Sequence, residues 1–569
     1  MSRASVFTGV DVHAKRNHDE HHTSELPEDQ LTVRRGQAFK VTLDLAKPFK
    51  QGIDSLVLIA STGGKRSLAR SLACPTCRSI SDVCMNFWGK KVLPVLVTPP
   101  ADAPIGRYAL KATLWGEDKT VATLVLLYNP WFSGDSVFLA DEQERREYVG
   151  PPYDMVDICL NILDKSLNYR KNPAGDLASR GDPVYVGRVI SAMINSPDDR
   201  GVVMGNWSDS FEGGLSPSHW SGSHDILSMW KNNNFRTVKY GQCWVFAGVM
   251  CSVMRLLGIP TRVVSNFVSA HDTDASLTID VYHADEGARR KESNDSIWNY
   301  HVWVESWMKR PDLKANGKYD GWQVLDATPQ EASDGLYQCG PSSLVAIFNG
   351  ETQLPYDVPF VFAEVNADCV DWLTKADGTD VKMSSDTKRV GKSVSTKAVG
   401  YNKRLDITRT YKHREGEYPG RVRQPRARLT RKSAAVFQAR KRSGPCSGTP
   451  SAMTKTACPT IQLGACKIVQ PTNVRKNTTG KKKCCECFQL SFGDPLEMVM
   501  KELDLLVWQV NGFVRQHQVA YGEVIFMNPL QETLTGMTLT VSGSGLLRQE
   551  PQPRPRSPFK DKDPCLKVE

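Results

Sequence analysis

Tyr240-Gly241-Gln242-Cys243-Trp244-Val245-Phe246-Ala247-Gly248-Val249 is the stretch on which the reading of this chain turns. From Cys243 to Leu257 nearly every residue is apolar or small, with Ser252 and Arg255 the chief exceptions, and Gly258 and Pro260 follow. Such a run predicts a helix over 243–257 that is apolar all round and therefore buried in a core. Gly258 supplies a left-handed cap, and Pro260 cannot continue the helix. Arg255, the caps and the length of the run argue against a membrane span. The first turn of a helix leaves N–H groups unpaired and carries the positive end of the dipole. A cysteine placed there is favoured as thiolate and becomes a better nucleophile. The alternative is an inert buried thiol, the commoner fate of a lone cysteine.

Two further stretches bear on that choice. Ile297-Trp298-Asn299-Tyr300-His301-Val302-Trp303-Val304-Glu305-Ser306-Trp307 is aromatic and β-branched and reads as a strand, and so does Gly321-Trp322-Gln323-Val324-Leu325-Asp326. The polar, breaker-rich segment between them, with Pro311, Asp312, Asn316 and Gly317, predicts an antiparallel pair. Pairing Trp303 with Val324 puts His301 opposite Asp326. A carboxylate there fixes the orientation and tautomer of an imidazole whose other nitrogen faces a nucleophile. Cys243, His301 and Asp326 on separate elements follow the papain-type logic. A strand histidine paired with a turn aspartate is the plain alternative.

Tyr-Gly-Gln-Cys-Trp-Val-Phe-Ala at 240–247 resembles the animal calcium-dependent transglutaminases, as do Leu-Gly-Ile-Pro-Thr-Arg-Val-Val-Ser-Asn-Phe at 257–267 and Ser-Ala-His-Asp-Thr-Asp at 269–274. Gly-Trp-Gln-Val-Leu-Asp-Ala-Thr-Pro-Gln-Glu at 321–331 and Pro-Phe-Val-Phe-Ala-Glu-Val-Asn-Ala-Asp at 359–368 continue the match. The resemblance is nearly continuous over 155–417 and covers parts of 18–150. Ser191-Ala192-Met193-Ile194-Asn195-Ser196 and Gly205-Asn206-Trp207-Ser208 are most similar to the epidermal and neuronal subgroup. The resemblance implies a multidomain α+β chain. An N-terminal immunoglobulin-like β-sandwich (1–131) precedes a papain-like α/β transglutaminase core (132–417). A basic, disordered linker (418–498), a partial, truncated C-terminal β-barrel region (499–549) and a disordered tail (550–569) are expected to follow.

Composition is consistent with several domains: 569 residues, 40% hydrophobic and 24% charged. Short alternating runs in the first 131 residues predict strands, among them 30–43 around Gly36 and a hairpin of 108–115 with 121–128. His21-His22-Thr23 and Arg34-Arg35-Gly36-Gln37 resemble the family's opening motifs. Cys74-Pro75-Thr76-Cys77 is a lone CxxC and reads as two free thiols rather than a zinc site. Fifteen cysteines, an odd number, with no apolar leader and no adequate transmembrane run, predict reduced thiols and a cytoplasmic protein. Much of the net charge of +10 lies in the basic run from Arg421 to Arg442 and in 475–483. Scarce aromatics there argue against base stacking, so a disordered linker is expected and no specific nucleic acid.

The resemblance also implies a reaction and its residues. Cys243 is the expected nucleophile, His301 the proton carrier, Asp326 its orienter, and Trp207, 36 residues before Cys243, an indole donor to the oxyanion. Acyl transfer from protein glutamine to lysine or another primary amine follows, so the partners are proteins with accessible Gln and Lys. Trp244, Trp298 and Trp303 are candidates for keeping water out. Oxygen-rich loops suit calcium rather than zinc. Ala192 (carbonyl), Asn195 and Asp199 match one family calcium site. Asp272, Asp274, Ser276, Thr278 (carbonyl) and Asp295 match a second, and Asn366, Asp368 and Glu415 a third. Gly420 stands where the family places a further glutamate of the third site, so weakened binding is expected there. Between Glu144-Arg145-Arg146-Glu147-Tyr148-Val149 and Asp154-Met155-Val156-Asp157 relatives carry a longer segment, whose absence is expected to weaken the core. Two rivals stay open: a thiol hydrolase or deamidase using the same triad, and a non-catalytic scaffold.

Overall fold

The computed structural model describes residues 5–50, 53–62, 90–150, 155–286 and 291–414, and the backbone of the short strands Gln489–Phe492, Leu505–Val510, Gly522–Phe526 and Met537–Thr540. Glu415, the Cys74 CxxC, the basic run and the 151–154 junction lie outside these residues. The chain divides into two compact units, Met1–Trp207 with Gly222–Gln470, and Ser208–Ser221 with Pro471–Glu569. In the second unit Gln489–Phe492 pairs with Met537–Thr540, and Leu505–Val510 with Gly522–Phe526. Strand structure therefore resumes before the expected boundary at 499.

The first unit opens with two sheets that share one apolar core. One sheet orders Phe7–Asp11, Phe39–Phe49 and Lys90–Val97, and the other Leu31–Arg34, Glu117–Leu127, Gly106–Leu114 and Val57–Thr62. Val33, Val41, Leu43, Leu110 and Leu126 from both sheets bury together. Over the first eight residues of Phe39–Phe49 buried and half-buried residues alternate, as the period of a half-buried strand requires. The 30–43 stretch does break around Gly36, but its two strands join different sheets. Gly36 makes that crossing in the left-handed region at φ +75°.

The motif pieces seen in the sequence meet at the base of this sandwich. His21 Nδ1 accepts from the Arg34 backbone N–H at 2.9 Å, and Arg34 Nη1 donates to the Tyr128 carbonyl at 2.9 Å. Arg35 makes a bidentate pair with Asp135, both bonds 2.7 Å, and also donates to the carbonyls of Ala103 and Gly181. All of this is buried. A buried guanidinium persists only when its donors are met in this way.

The core is built around the helix Cys243–Leu257, whose apolar residues are buried on nearly every side. Gly258 ends it in the left-handed region at φ +94°, and the N–H groups of Gly258 and Ile259 return to the carbonyls of Arg255 and Met254. The helix packs on an antiparallel six-stranded sheet ordered Cys339–Ser343, Gly321–Asp326, Ser296–Met308, Thr261–His271, Lys392–Lys397 and Arg404–Asp406. Helices Pro183–Ile194 and Val358–Asn366 pack around it. On either side of residues 151–154, helices Glu142–Val149 and Val156–Lys165 both form, and Tyr148 sets its ring edge-on to Trp322 at 5.2 Å.

One expectation needs correction. Val324 pairs with Glu305, not with Trp303, and Leu325 with Val304. The strand is slid by two residues, which keeps every side chain on its expected face. His301 therefore reaches Asp326 diagonally rather than from directly opposite.

Candidate active site

Cys243 is the first residue of its helix and no side chain caps that end. Gln242, the capping position, instead sends its amide to the Asn206 carbonyl at 2.8 Å. His301 comes from the central strand and Asp326 from the end of the neighbouring one. Cys243, His301 and Asp326 are only 4%, 1% and 2% exposed.

His301 Nε2 lies 2.7 Å from Asp326 Oδ2, and Asp326 Oδ1 is anchored by the Thr328 backbone N–H at 2.8 Å. Burial alone would depress the histidine pKa. The Asp326 charge and hydrogen bond, helped by the Cys243 side chain and by Glu364, hold it well above the usual value. Asp326 occupies Nε2, so Nδ1 is the nitrogen left for the thiol. Nδ1 makes no hydrogen bond of its own among the described residues, so the thiol is a neighbour poised to take it.

Trp207 is half-buried. It stacks on Phe246 of the nucleophile helix at 6.3 Å and leans on Trp298 at 6.4 Å. Trp298 in turn stands edge-on to the His301 ring at 5.1 Å. Trp244 lies beside Tyr300 at 6.3 Å. Trp303 is fully buried, its indole donating to the Tyr411 hydroxyl at 2.9 Å, and that hydroxyl donates to Glu305. It also lies against the His301 ring at 5.8 Å, so of the three candidates for excluding water Trp298 and Trp303 both flank the histidine, while Trp244 follows Cys243 in the chain.

Sequence reasoning passed over two polar residues here. Gln330 Nε2 contacts Asp326 Oδ2 at 2.9 Å, Glu364 Oε1 at 3.0 Å and His301 Nε2 at 3.0 Å. Glu364 is buried on the helix Val358–Asn366, and burial, against the opposing pull of His301, pushes its pKa up to about 8. A lone carboxyl in the apolar run Val358-Pro359-Phe360-Val361-Phe362-Ala363-Glu364-Val365 was the available signal, since a buried acid must face a partner.

The acidic loops divide by what the structure describes. Asn195 caps the helix Pro183–Ile194, which carries Ala192 in its last turn, and donates to the Tyr337 carbonyl at 2.7 Å. Asn195 Oδ1 and Asp199 Oδ1 are buried with no donor among the described residues, and burial pushes Asp199 up to about 7. Two orphaned buried oxygens fit a hard cation. Asp272, Asp274 and Asp295 bring carboxylate oxygens within 4.8 Å of one another. Burial and the two neighbouring acids raise Asp272 to about 7 against its bond from the Leu277 N–H. The Ser276 hydroxyl bonds the Thr278 carbonyl at 3.2 Å in the same loop. Three carboxylates gathered this closely also fit a cation. Asn366 ends its helix and Asp368 opens the next strand, while Glu415 lies outside the described residues.

A cysteine at a helix N-terminus, a buried histidine on a strand and a carboxylate behind it define the class of papain-like thiol enzymes. A transglutaminase family model matches residues 8–115, and a transglutaminase-like superfamily model matches 221–327, which spans Cys243, His301 and Asp326. Protein-glutamine gamma-glutamyltransferase E of Rattus norvegicus is 42% identical over 504 residues, 82% of this chain and 72% of the relative. The Bos taurus E protein is 45% identical over 448 residues, 72% of this chain and 64% of its own length. The crystal structure of red sea bream transglutaminase superposes with a TM-score of 0.63 at 36% identity, covering 78% of this chain and 68% of that one. The chain belongs to the transglutaminase family. It spans just under two thirds of the Bos taurus relative.

Proposed function

We propose that this chain transfers the acyl group of a protein glutamine to a primary amine, and to lysine in particular, through a thioester on Cys243. The observation that carries the reading is the buried 2.7 Å contact of His301 with Asp326, beside a cysteine that opens a helix. The Cys243 thiolate attacks the glutamine carboxamide carbon. The indole of Trp207 and the backbone N–H of Cys243 hold the oxygen as it becomes negative. His301 gives its proton to the departing nitrogen, which leaves as ammonia, and Asp326 keeps the ring aligned. The incoming amine loses a proton to His301 and displaces the thiol, forming an isopeptide bond when the amine is lysine. Trp298 and Trp303 flank His301 and Trp244 adjoins Cys243, and together they favour the amine over water.

The cation implied by the family is calcium. Ala192, Asn195 and Asp199 would hold one ion, Asp272, Asp274, Ser276, Thr278 and Asp295 a second, and Asn366, Asp368 and Glu415 a third. Bound there, calcium would neutralise acids that otherwise repel and fix the loops carrying them. Among the described residues Cys159, Cys243, Cys251, Cys339 and Cys369 are free thiols, which suits a reducing, cytoplasmic setting. No described helix is long and apolar enough to cross a membrane.

The test is incorporation of a labelled primary amine into casein, with and without calcium, beside Cys243→Ala. Incorporation that needs both calcium and Cys243 supports the reading. Glutamine deamidation without incorporation would replace it with a hydrolase, and neither product from a folded sample would leave a scaffold.

A further inference from the structure

His301 has two buried carboxyls in front of one nitrogen. Asp326 Oδ2 is 2.7 Å from Nε2 and Glu364 Oε1 is 3.7 Å from it. An imidazole N–H can be aimed at only one of them. Paired with Asp326, the ring leaves Nδ1 for Cys243. A turn toward Glu364 would swing Nδ1 off that line, and the 1 Å scale of such a shift is enough to cost catalysis heavily. Glu364 competes by position, with Oε1 3.7 Å from Nε2 and Oε2 buried without a partner among the described residues.

Gln330 stands between the competitors. Its amide nitrogen meets Asp326 Oδ2 at 2.9 Å and Glu364 Oε1 at 3.0 Å. A carboxamide NH2 carries two donors and no charge, so it serves one oxygen of each acid without accepting a proton itself. Asn266, on the strand beside His301, adds a second restraint: its amide donates to the Glu364 backbone carbonyl at 3.2 Å, and it pairs across the sheet with His301.

We propose that Gln330 is a positioning residue that decides which carboxyl group His301 pairs with, by binding Asp326 and Glu364 together and holding Glu364 back from the ring. The proposal rests on the acyl-transfer reading above. It makes Gln330 and Glu364 a coupled pair acting through His301, not independent structural contacts.

The test is a double-mutant cycle on the full chain. Gln330→Ala is expected to lower kcat about 10- to 100-fold, the usual scale for residues that orient a reacting group, with KM for the glutamine substrate changed about twofold or less. In a Glu364→Gln background, where no second carboxyl group competes, the same change should cost at least about tenfold less. A purely structural loss would appear as a lower denaturation midpoint, with kcat and the alkylation rate of the folded chain unchanged. If Gln330→Ala fails to fold by thermal denaturation, Gln330→Met, similar in volume and without donors, takes its place. The rate of Cys243 alkylation by iodoacetamide is followed in parallel, because it reads the thiol–imidazole pair without any transfer step. A parent chain that alkylates but incorporates no amine would overturn the transferase reading and still leave the Gln330 cycle measurable by alkylation. Equal costs of Gln330→Ala in both backgrounds, or a Gln330 variant within about threefold of the parent in both assays, would overturn the proposal.

Discussion

His301 and Asp326 are joined at 2.7 Å across a strand pairing slid by two residues from direct opposition. The aspartate thus approaches the ring from its Nε2 edge and leaves the Nδ1 edge to the helix. Replacing Asp326 by Asn keeps the shape and removes the charge. Amine incorporation is expected to fall on the order of 10⁴-fold, as in other triads that lose this carboxylate. The pH dependence of Cys243 alkylation supplies the sign. Asp326 is what holds His301 above its usual pKa against burial. Without it burial wins, and the limb on which His301 loses its proton moves to lower pH. A limb that stays in place would show that Asp326 does not set the histidine.

Glu305 is fully buried between Arg262, whose Nε donates to it at 2.7 Å, and the Tyr411 hydroxyl, which also takes the Trp303 indole. Truncating Glu305 to Ala strands the Arg262 guanidinium in the interior. The expected loss is about 3–5 kcal/mol, read from urea denaturation. A loss under about 1 kcal/mol would mean that water reaches Arg262 and the pair is dispensable.

His21 is fully buried and burial lowers its pKa to about 4, with Ala38 and Arg34 as its backbone partners. The unfolded chain takes up this proton near 6.5. Between those values the unfolded state binds more protons, so stability is complete above about pH 6.5 and drains as pH falls toward 4. The full drop for this group is about 3 kcal/mol at 1.36 kcal/mol per unit. Denaturation midpoints at pH 7.5 and 5 for the parent and for His21→Gln check it: the variant should lose part of the pH dependence.

Gly258→Ala tests the cap on the nucleophile helix. The residue sits at φ +94°, and an added Cβ would stand 2.4 Å from the Tyr128 backbone oxygen. Left-handed strain costs about 1 kcal/mol and the clash with backbone adds to it, so a loss of about 2 kcal/mol or more is expected. An unchanged denaturation midpoint would mean the Tyr128 segment yields freely.

The helix 243–257 and the strand 321–326 were legible to the residue because glycine and proline punctuate them. Local chemistry also placed His301 and Asp326 on one face, since strand parity follows from which side is apolar. The offset between those strands was not legible. The segment joining them fixes it by contacts that no periodicity announces, such as the Arg310 N–H on Asp320 at 2.7 Å and Arg310 on Gln323 and the Pro341 carbonyl. Gln330 escaped for the same reason, and Glu364, though a lone acid in an apolar run, gave no sign of which residue it faces: only the fold brings the two to His301.

The Arg35–Asp135 pair lies across the boundary that sequence places at 131, with the cation on one side and the anion on the other. Each portion therefore carries half of a charge balance that it cannot complete alone. The sandwich and the core must mature together, and a polypeptide divided at that seam would present each piece with an interior ion and nothing to neutralise it. The seam is visible in sequence yet closed to modular exchange: a foreign sandwich grafted there would have to bring its own guanidinium to the same spot.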